Sequence, residues 1–176
     1  MPGFSVQELS DRAAIHDVIM RYAMSVDQRD WETFVECFTP DAYAEYSGVA
    51  AGPGVEKILA HVKGIENKAV STHFMGNQLI DVSGDIATVE TFASSHLPWL
   101  QGDGSTLRVR GLRYESELVR QDGRWRIRRH THGVDWERFD DGVMREGDRQ
   151  PRSPTQNEGA VPERPAPTVR PEGRKS

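Results

Sequence analysis

The chain has 176 residues, 36% of them hydrophobic and 28% charged, with one cysteine and a formal charge of −5. No apolar run approaches the roughly 18–20 residues of a membrane helix, and no basic-then-apolar leader of the secretory kind opens the sequence. The negative balance argues against nucleic acid as the main partner, and the lone Cys37 fits a reducing cytoplasm better than a disulfide framework.

Ser5-Val-Gln-Glu8 has the spacing of a capping box, and Leu9, Ala13, Ile15, Val18, Ile19, Tyr22 and Val26 follow at three- and four-residue steps. That spacing predicts an amphipathic first helix. Asp30 is placed to cap a second helix over 31–38, which Pro40 stops, so Asp27 stands at a helix end. The aromatics of 41–46 predict a short strand, Gly52-Pro-Gly54 a turn, and Val55, Ile58, Leu59 and Val62 a third helix. After Gly64 the apolar period becomes two. Strands are expected over 71–82, 85–97, 107–121 and 124–135, with hairpin turns at Ser83-Gly84 and Asp122-Gly123 and a glycine-rich loop over 98–106. Three helices and a meander of long strands define an α+β fold, a curved sheet with helices on one face.

The pattern ends early. Phe139 is the last aromatic, and six of the ten prolines fall between Pro151 and Pro171. A folded domain over 1–141 is therefore expected to precede a Pro/Arg/Glu-rich tail, 142–176, too polar to bury a core of its own.

Most polar residues read as structural. His16 and His61 read as solvated helix residues, Cys37 as a core thiol beside Phe34 and Phe38, and the arginines from Arg108 to Arg129 as an exposed sheet face paired with acids. His73 differs: its neighbours at two-residue steps are Ser71 and Met75, and a hairpin folded at Ser83-Gly84 brings it near His96. Such a pair serves acid–base chemistry or simply forms a hydrogen-bonded structural couple, and spacing leaves both open. His130 and His132 share a strand face and are the remaining candidates for a metal site. No HExxH, cysteine cluster or phosphate-binding glycine loop accompanies them, so a metal site is not expected.

Residues 5 to about 140 resemble the SnoaL-like branch of the nuclear-transport-factor-2-like superfamily, and within it the scytalone dehydratase and bile acid 7α-dehydratase group. The carrying residues are Tyr22-Ala-Met-Ser-Val-Asp27-Gln-Arg-Asp-Trp31, Tyr46 in Ala-Glu-Tyr-Ser, His73 in Thr-His-Phe-Met-Gly-Asn77, His96, Asp122-Gly-Arg-Trp125 and Trp136-Glu-Arg-Phe-Asp140. The resemblance implies that Asp27 and His73 form the family's Asp-His dyad. It further implies that Tyr22 corresponds to the tyrosine of the bile acid enzyme, and Tyr46 and His96 to the second tyrosine and histidine of scytalone dehydratase. Val26 replaces the tyrosine that precedes the aspartate in scytalone dehydratase, and the serine and asparagine that contact its substrate lack a clear counterpart, so a substrate other than scytalone is implied.

The same resemblance implies a cone-shaped fold around one deep pocket, a homo-oligomer (dimer or trimer) built through the sheet, and no cofactor. The expected function is a cofactor-independent dehydratase or isomerase acting on a hydrophobic small molecule, with no nucleic-acid or membrane partner. Phe34, Phe38, Phe74, Met75, Phe92 and Trp99 suggest a polycyclic or aromatic hydroxy-carbonyl substrate. The alternative is a non-catalytic ligand binder or a subunit resembling a dioxygenase β chain. A carboxylate facing a buried imidazole, each costly to desolvate, favours the enzyme. Removal of residues 142–176 should leave the melting temperature within about a degree or two, as changes outside a packed core generally do; a larger drop in a thermal melt would place the tail in the folded unit.

Overall fold

The computed structural model describes residues 3–65, 71–101 and 104–141. The tail expected over 142–176 lies outside these described residues. Helices α1 (Val6–Gln28), α2 (Trp31–Glu36) and α3 (Val55–Ile65) accompany six strands: β1 (Phe38–Tyr46), β2 (Val49–Ala51), β3 (Thr72–Ser83), β4 (Ile86–Gln101), β5 (Gly104–Gln121) and β6 (Arg124–Asp141). They form one sheet in the order β2-β1-β6-β5-β4-β3. The fold is α+β, and the sheet is mixed because β1 runs parallel to β6 while every other pairing is antiparallel.

Local chemistry accounts for the boundaries. The Ser5 side chain accepts from the Glu8 amide at the start of α1, and Arg29, at φ 58°, closes its end. Asp30 caps α2 by accepting from the Thr33 amide at 3.1 Å and from the Thr33 hydroxyl at 2.7 Å. Helix α2 is shorter than expected: it stops at Glu36, and Pro40 lies inside β1. Proline is tolerated there because the β1–β6 ladder breaks between Phe38 and Tyr43, so no paired amide is lost. The expected loop over 98–106 is largely strand, with Gln101 paired to Gly104.

The core lies between the inner face of the sheet and the stripe Ile15, Ile19, Tyr22 and Val26 of α1, joined by Phe34, Phe38, Leu118 and Ile127. Each fully buried side chain of this size contributes roughly 1.5–3 kcal/mol. A polar tie fixes the start of α1 against the sheet: Asp11 accepts from Arg120 at 2.6 Å and from the Trp125 indole at 3.2 Å.

One irregularity decides what faces inward. From the turn as far as Gln78↔Thr91, β3 and β4 pair in a register that would set His73 opposite His96. A bulge between Met75 and Gln78 then adds one residue to β3, so that His73 pairs with Ser95 and Thr72 with His96. Side chains alternate along a strand, so the shift turns His96 to the face opposite His73. Gly76 permits it, since a Cβ there would lie 3.0 Å from the Phe92 carbonyl oxygen. Gly76→Val should therefore destabilise the protein by about 1–3 kcal/mol, the usual cost of overpacking, read as a lower midpoint in urea; an unchanged midpoint would mean the bulge has room to spare.

Candidate active site

Asp27 sits in the last turn of α1, where the helix dipole disfavours a negative charge. Three hydrogen bonds offset that cost. Oδ1 accepts from the Ser71 hydroxyl at 2.8 Å and from His73 Nδ1 at 2.7 Å, while Oδ2 accepts from the His73 backbone amide at 2.7 Å. Burial pushes the Asp27 pKa up, but hydrogen bonding and charge from His73, with the Ser71 hydroxyl, outweigh it and hold the carboxyl below its ordinary value. An ionised carboxylate only accepts, so Nδ1 of His73 carries the hydrogen shared with Asp27, and Nε2 is left for another partner.

His73 forms part of the wall of a cavity of about 240 Å³, small beside the roughly 300–1,000 Å³ of typical ligand pockets. Tyr22, Ala23 and Val26 of α1 and Val62 of α3 close it from above; Tyr46, Arg108, Arg110, Tyr114 and His132 line it from the sheet. Two rows of paired residues on the inner face build the floor. One runs Tyr46–His132–Tyr114 across β1, β6 and β5; the other runs His73–Ser95–Arg110 across β3, β4 and β5.

The tyrosine hydroxyls of Tyr22 and Tyr46 stand 3.3 Å apart, and burial pushes the Tyr46 hydroxyl well above its ordinary pKa, keeping it a donor. Behind them His130 is fully buried. Its Nδ1 lies 2.8 Å from the Ser116 hydroxyl, and its ring stacks on Tyr114 at 5.2 Å and meets Tyr22 edge-on at 4.6 Å. Desolvation, helped by His132, lowers its pKa to about 3. His132 falls to about 4, chiefly through burial and then through the charges of Arg110 and His73.

Of the five expected site residues, the structure brings four together: Asp27, His73, Tyr22 and Tyr46. His96 is not among them, because the β3–β4 bulge sends it to the other face. Nor, of the apolar residues that suggested a polycyclic ligand, do the five whose side chains are described line the cavity. Phe74 and Phe92 lie on the outer face, 72% and 41% exposed; Phe34 and Phe38 belong to the core, Met75 packs against it, and the Trp99 side chain lies outside the described residues. His61 is not solvated but stacks on Tyr46 at 5.2 Å. Several arginines do pair with acids on the sheet as expected, such as Arg113 with Asp135 and Arg128 with Glu117. Arg110 departs from that pattern: it is buried, and its Nε donates to the Ser95 hydroxyl at 3.2 Å. Among the described residues no group of three or more histidine, cysteine or acidic side chains gathers as metal ligands.

Sequence reasoning missed Arg110, Tyr114 and His132 as cavity residues. The signal was present in the two-residue period of 108, 110 and of 130, 132, but which face turned inward depended on strand register.

The residues from 7 to 131 match the family model described as SnoaL-like domain. The chain belongs to the SnoaL-like family, within the nuclear-transport-factor-2-like superfamily. It is 33% identical over 131 residues to the uncharacterized protein Rv2910c of Mycobacterium tuberculosis, covering 72% of this chain and 87% of that one. Among solved structures it is similar to a type 2 hexachlorocyclohexane dehydrochlorinase (LinA), with TM-score 0.71 and 21% identity over 80% of this chain and 95% of that one. It is also similar to a putative scytalone dehydratase from Novosphingobium aromaticivorans, with TM-score 0.65 and 20% identity over 82% and 96%. Both likenesses establish the shared fold. No helix of the described residues is long and apolar enough to cross a membrane.

The buried imidazoles set an acid limit on stability. Both are neutral when folded and titrate near 6.5 when unfolded, so below about pH 6.5 the unfolded chain takes up protons that the fold refuses. Stability should be level above pH 7 and fall as the pH drops toward 4, by up to about 1.4 kcal/mol per pH unit for each imidazole. Urea unfolding at pH 7, 6 and 5 measures the slope, and His130→Gln should reduce it by about half; an identical slope in the variant would remove His130 from this account.

Proposed function

We propose that the protein is a cofactor-independent lyase of the dehydratase type, acting on a compact hydroxy-carbonyl compound. The observation that carries this reading is the His73 imidazole, fixed through Nδ1 by Asp27 and lining a cavity that Tyr22 and Tyr46 also line. Nε2 takes a proton from the carbon beside the carbonyl. That C–H electron pair becomes the new C=C bond as the C–O bond on the next carbon breaks. The hydroxide leaves with the proton held by His73, giving water and restoring the neutral imidazole. Asp27 stabilises the transient imidazolium, and the tyrosine hydroxyls donate to the carbonyl oxygen while negative charge gathers there. Returning the proton to another carbon, with no leaving group, makes the same site an isomerase.

His132 takes the place in this scheme expected of His96: it is a neutral imidazole in the cavity wall, available to hold the departing oxygen. The homo-oligomer is part of the same proposal. The outer sheet face supports it by exposing Phe74, Phe92 and Trp136, an apolar surface that single chains seldom leave uncovered.

Turnover on a panel of β-hydroxy-ketones, measured with melting temperature on the same samples, tests the dyad. Asp27→Asn and His73→Ala should each cut the rate by roughly 10³–10⁴, and the double variant should lose little more, since the pair acts as one unit. Tyr46→Phe should lose about 2–4 kcal/mol of transition-state stabilisation. Full activity per folded molecule in His73→Ala would overturn the assignment, and ligand affinity unchanged by Asp27→Asn, with no turnover in the unaltered protein, would favour a binding role.

A further inference from the structure

We propose that His132 selects a hydroxyl as the group the substrate loses: Nε2 of the imidazole accepts the hydrogen of that hydroxyl, so the cavity discriminates against an ether or a halide in its place. Ser47, which lines the same cavity, is the positioning residue that sets the imidazole for this task. That the hydroxyl departs is taken from the elimination proposed above; the selection itself is read from the cavity wall.

His132 is held on both faces and along one edge. Its ring lies between those of Tyr46 and Tyr114, its neighbours in one row of the sheet, at centroid distances of 5.8 and 5.2 Å. Nδ1 lies 3.4 Å from the Ser47 hydroxyl, and the Ser47 amide donates to the His132 carbonyl at 2.8 Å. Burial keeps this imidazole neutral at pH 7, while a hydrogen bond to its own carbonyl works against the lowering of its pKa. In a histidine only Nδ1 reaches the residue's own oxygen. A carbonyl only accepts, so Nδ1 carries the hydrogen, and the Ser47 hydroxyl is a second acceptor for it. The neutral ring then keeps its lone pair on Nε2. That atom has no hydrogen-bond partner among the described residues, and unlike Nε2 of His130 it is not sealed in, so it opens on the cavity that His132 lines.

Ser47 holds an unfavourable conformation. With Gly48 it makes the two-residue turn between β1 and β2, at φ of 52° and 82°, where glycine or asparagine is preferred. Strain of this kind gathers at functional sites. The hydroxyl is what serine adds to glycine there, and it meets the His132 ring. The consequence for the ligand is selective. An alcohol that donates its hydrogen to Nε2 keeps its oxygen lone pairs for the proton that His73 returns, and His73 lines the same cavity close enough for its charge to lower the His132 pKa. An ether or halide gives Nε2 nothing and leaves a buried acceptor unpaired, which is how sites built around a hydroxyl reject analogues that lack one.

Ring-nitrogen NMR spectra of the isotope-labelled full chain test this without turnover, the His132 signals being assigned by their loss in His132→Phe. At pH 7 His132 should show the Nδ1–H form. Cyclohexanol should move its Nε2 resonance upfield, and methoxycyclohexane should leave it in place and bind at least about tenfold more weakly. In His132→Phe the alcohol and the ether should bind within about twofold of each other. Ser47→Gly suits the left-handed turn, so its melting temperature should stay level or rise, yet it should admit part of the Nε2–H form and shrink the cyclohexanol shift. A dominant Nε2–H form in the unaltered protein, no response to cyclohexanol, or equal binding of alcohol and ether would each overturn the proposal; spectra unchanged in Ser47→Gly would overturn the role given to Ser47. His73→Ala separates this selection from the base: it should end turnover of the β-hydroxy-ketones while His132 still answers cyclohexanol, so either assignment can fail alone.

Discussion

The Asp27 carboxylate accepts three hydrogen bonds across the gap between the end of α1 and the start of β3, and both the architecture and the chemistry depend on it. A hydrogen bond to a charged group contributes about 1.5–3 kcal/mol, so together these fasten the helix end to the first residues of the edge strand. The bond to the His73 amide fixes where the backbone lies; the bond to Nδ1 fixes how the imidazole turns and which nitrogen bears the proton. An amide in place of the carboxylate has one acceptor oxygen where three donors converge. Position and orientation of the His73 imidazole are thus set by a single side chain, which stands at a helix end that electrostatics alone would leave without an acid.

The bulge in β3 determines what His73 faces. Without the extra residue at Gly76-Asn77, the hairpin register carried from the turn would set His73 against His96. With it, Ser95 lies beside His73 and Arg110 beyond, and His96 joins the outer face with Phe74. The exchange replaces a second titratable imidazole by a hydroxyl and a permanent cation. An imidazole partner would lose its charge as the pH rises; a guanidinium does not. The polarity of the floor therefore follows from one residue of slippage in a hairpin.

That bulge also separates what was legible in the sequence from what was not. Element types could be read because they rest on local signals: the capping box at Ser5, the stripe from Ile15 to Val26, the turn at Asp122-Gly123 with φ of 53° and 74°. Asp27 at a helix end was legible from Asp30 capping the next helix. The partner of His73 was not, since register depends on whether a glycine lets two residues oppose one, and the contact that tests it, with the Phe92 carbonyl, is made across the sheet. The same limit hid Arg110. It looks like its neighbours Arg108 and Arg113 in sequence, and only the register says that it is buried beside Ser95 on the inner face.

The surroundings of the cavity are arranged so that few charges change within it. Tyr46 is kept protonated, and His130 and His132 are kept neutral, by burial that penalises the ionised form of each. His130 braces the site rather than joining it: its ring packs on Tyr22 and Tyr114, whose side chains form two walls of the cavity, and Ser116 holds its Nδ1. A buried imidazole costs stability in acid, where a phenylalanine would not. In return it supplies a flat, polar-edged ring that Ser116 can pin at a fixed angle, and through it the Tyr22 ring is held where its hydroxyl meets that of Tyr46. Preorganised donors gain most where water is excluded and the local dielectric is low. Buried neutral side chains therefore surround the Asp27–His73 pair, and on the proposed reading a proton leaving the substrate has the imidazole that Asp27 orients as its destination.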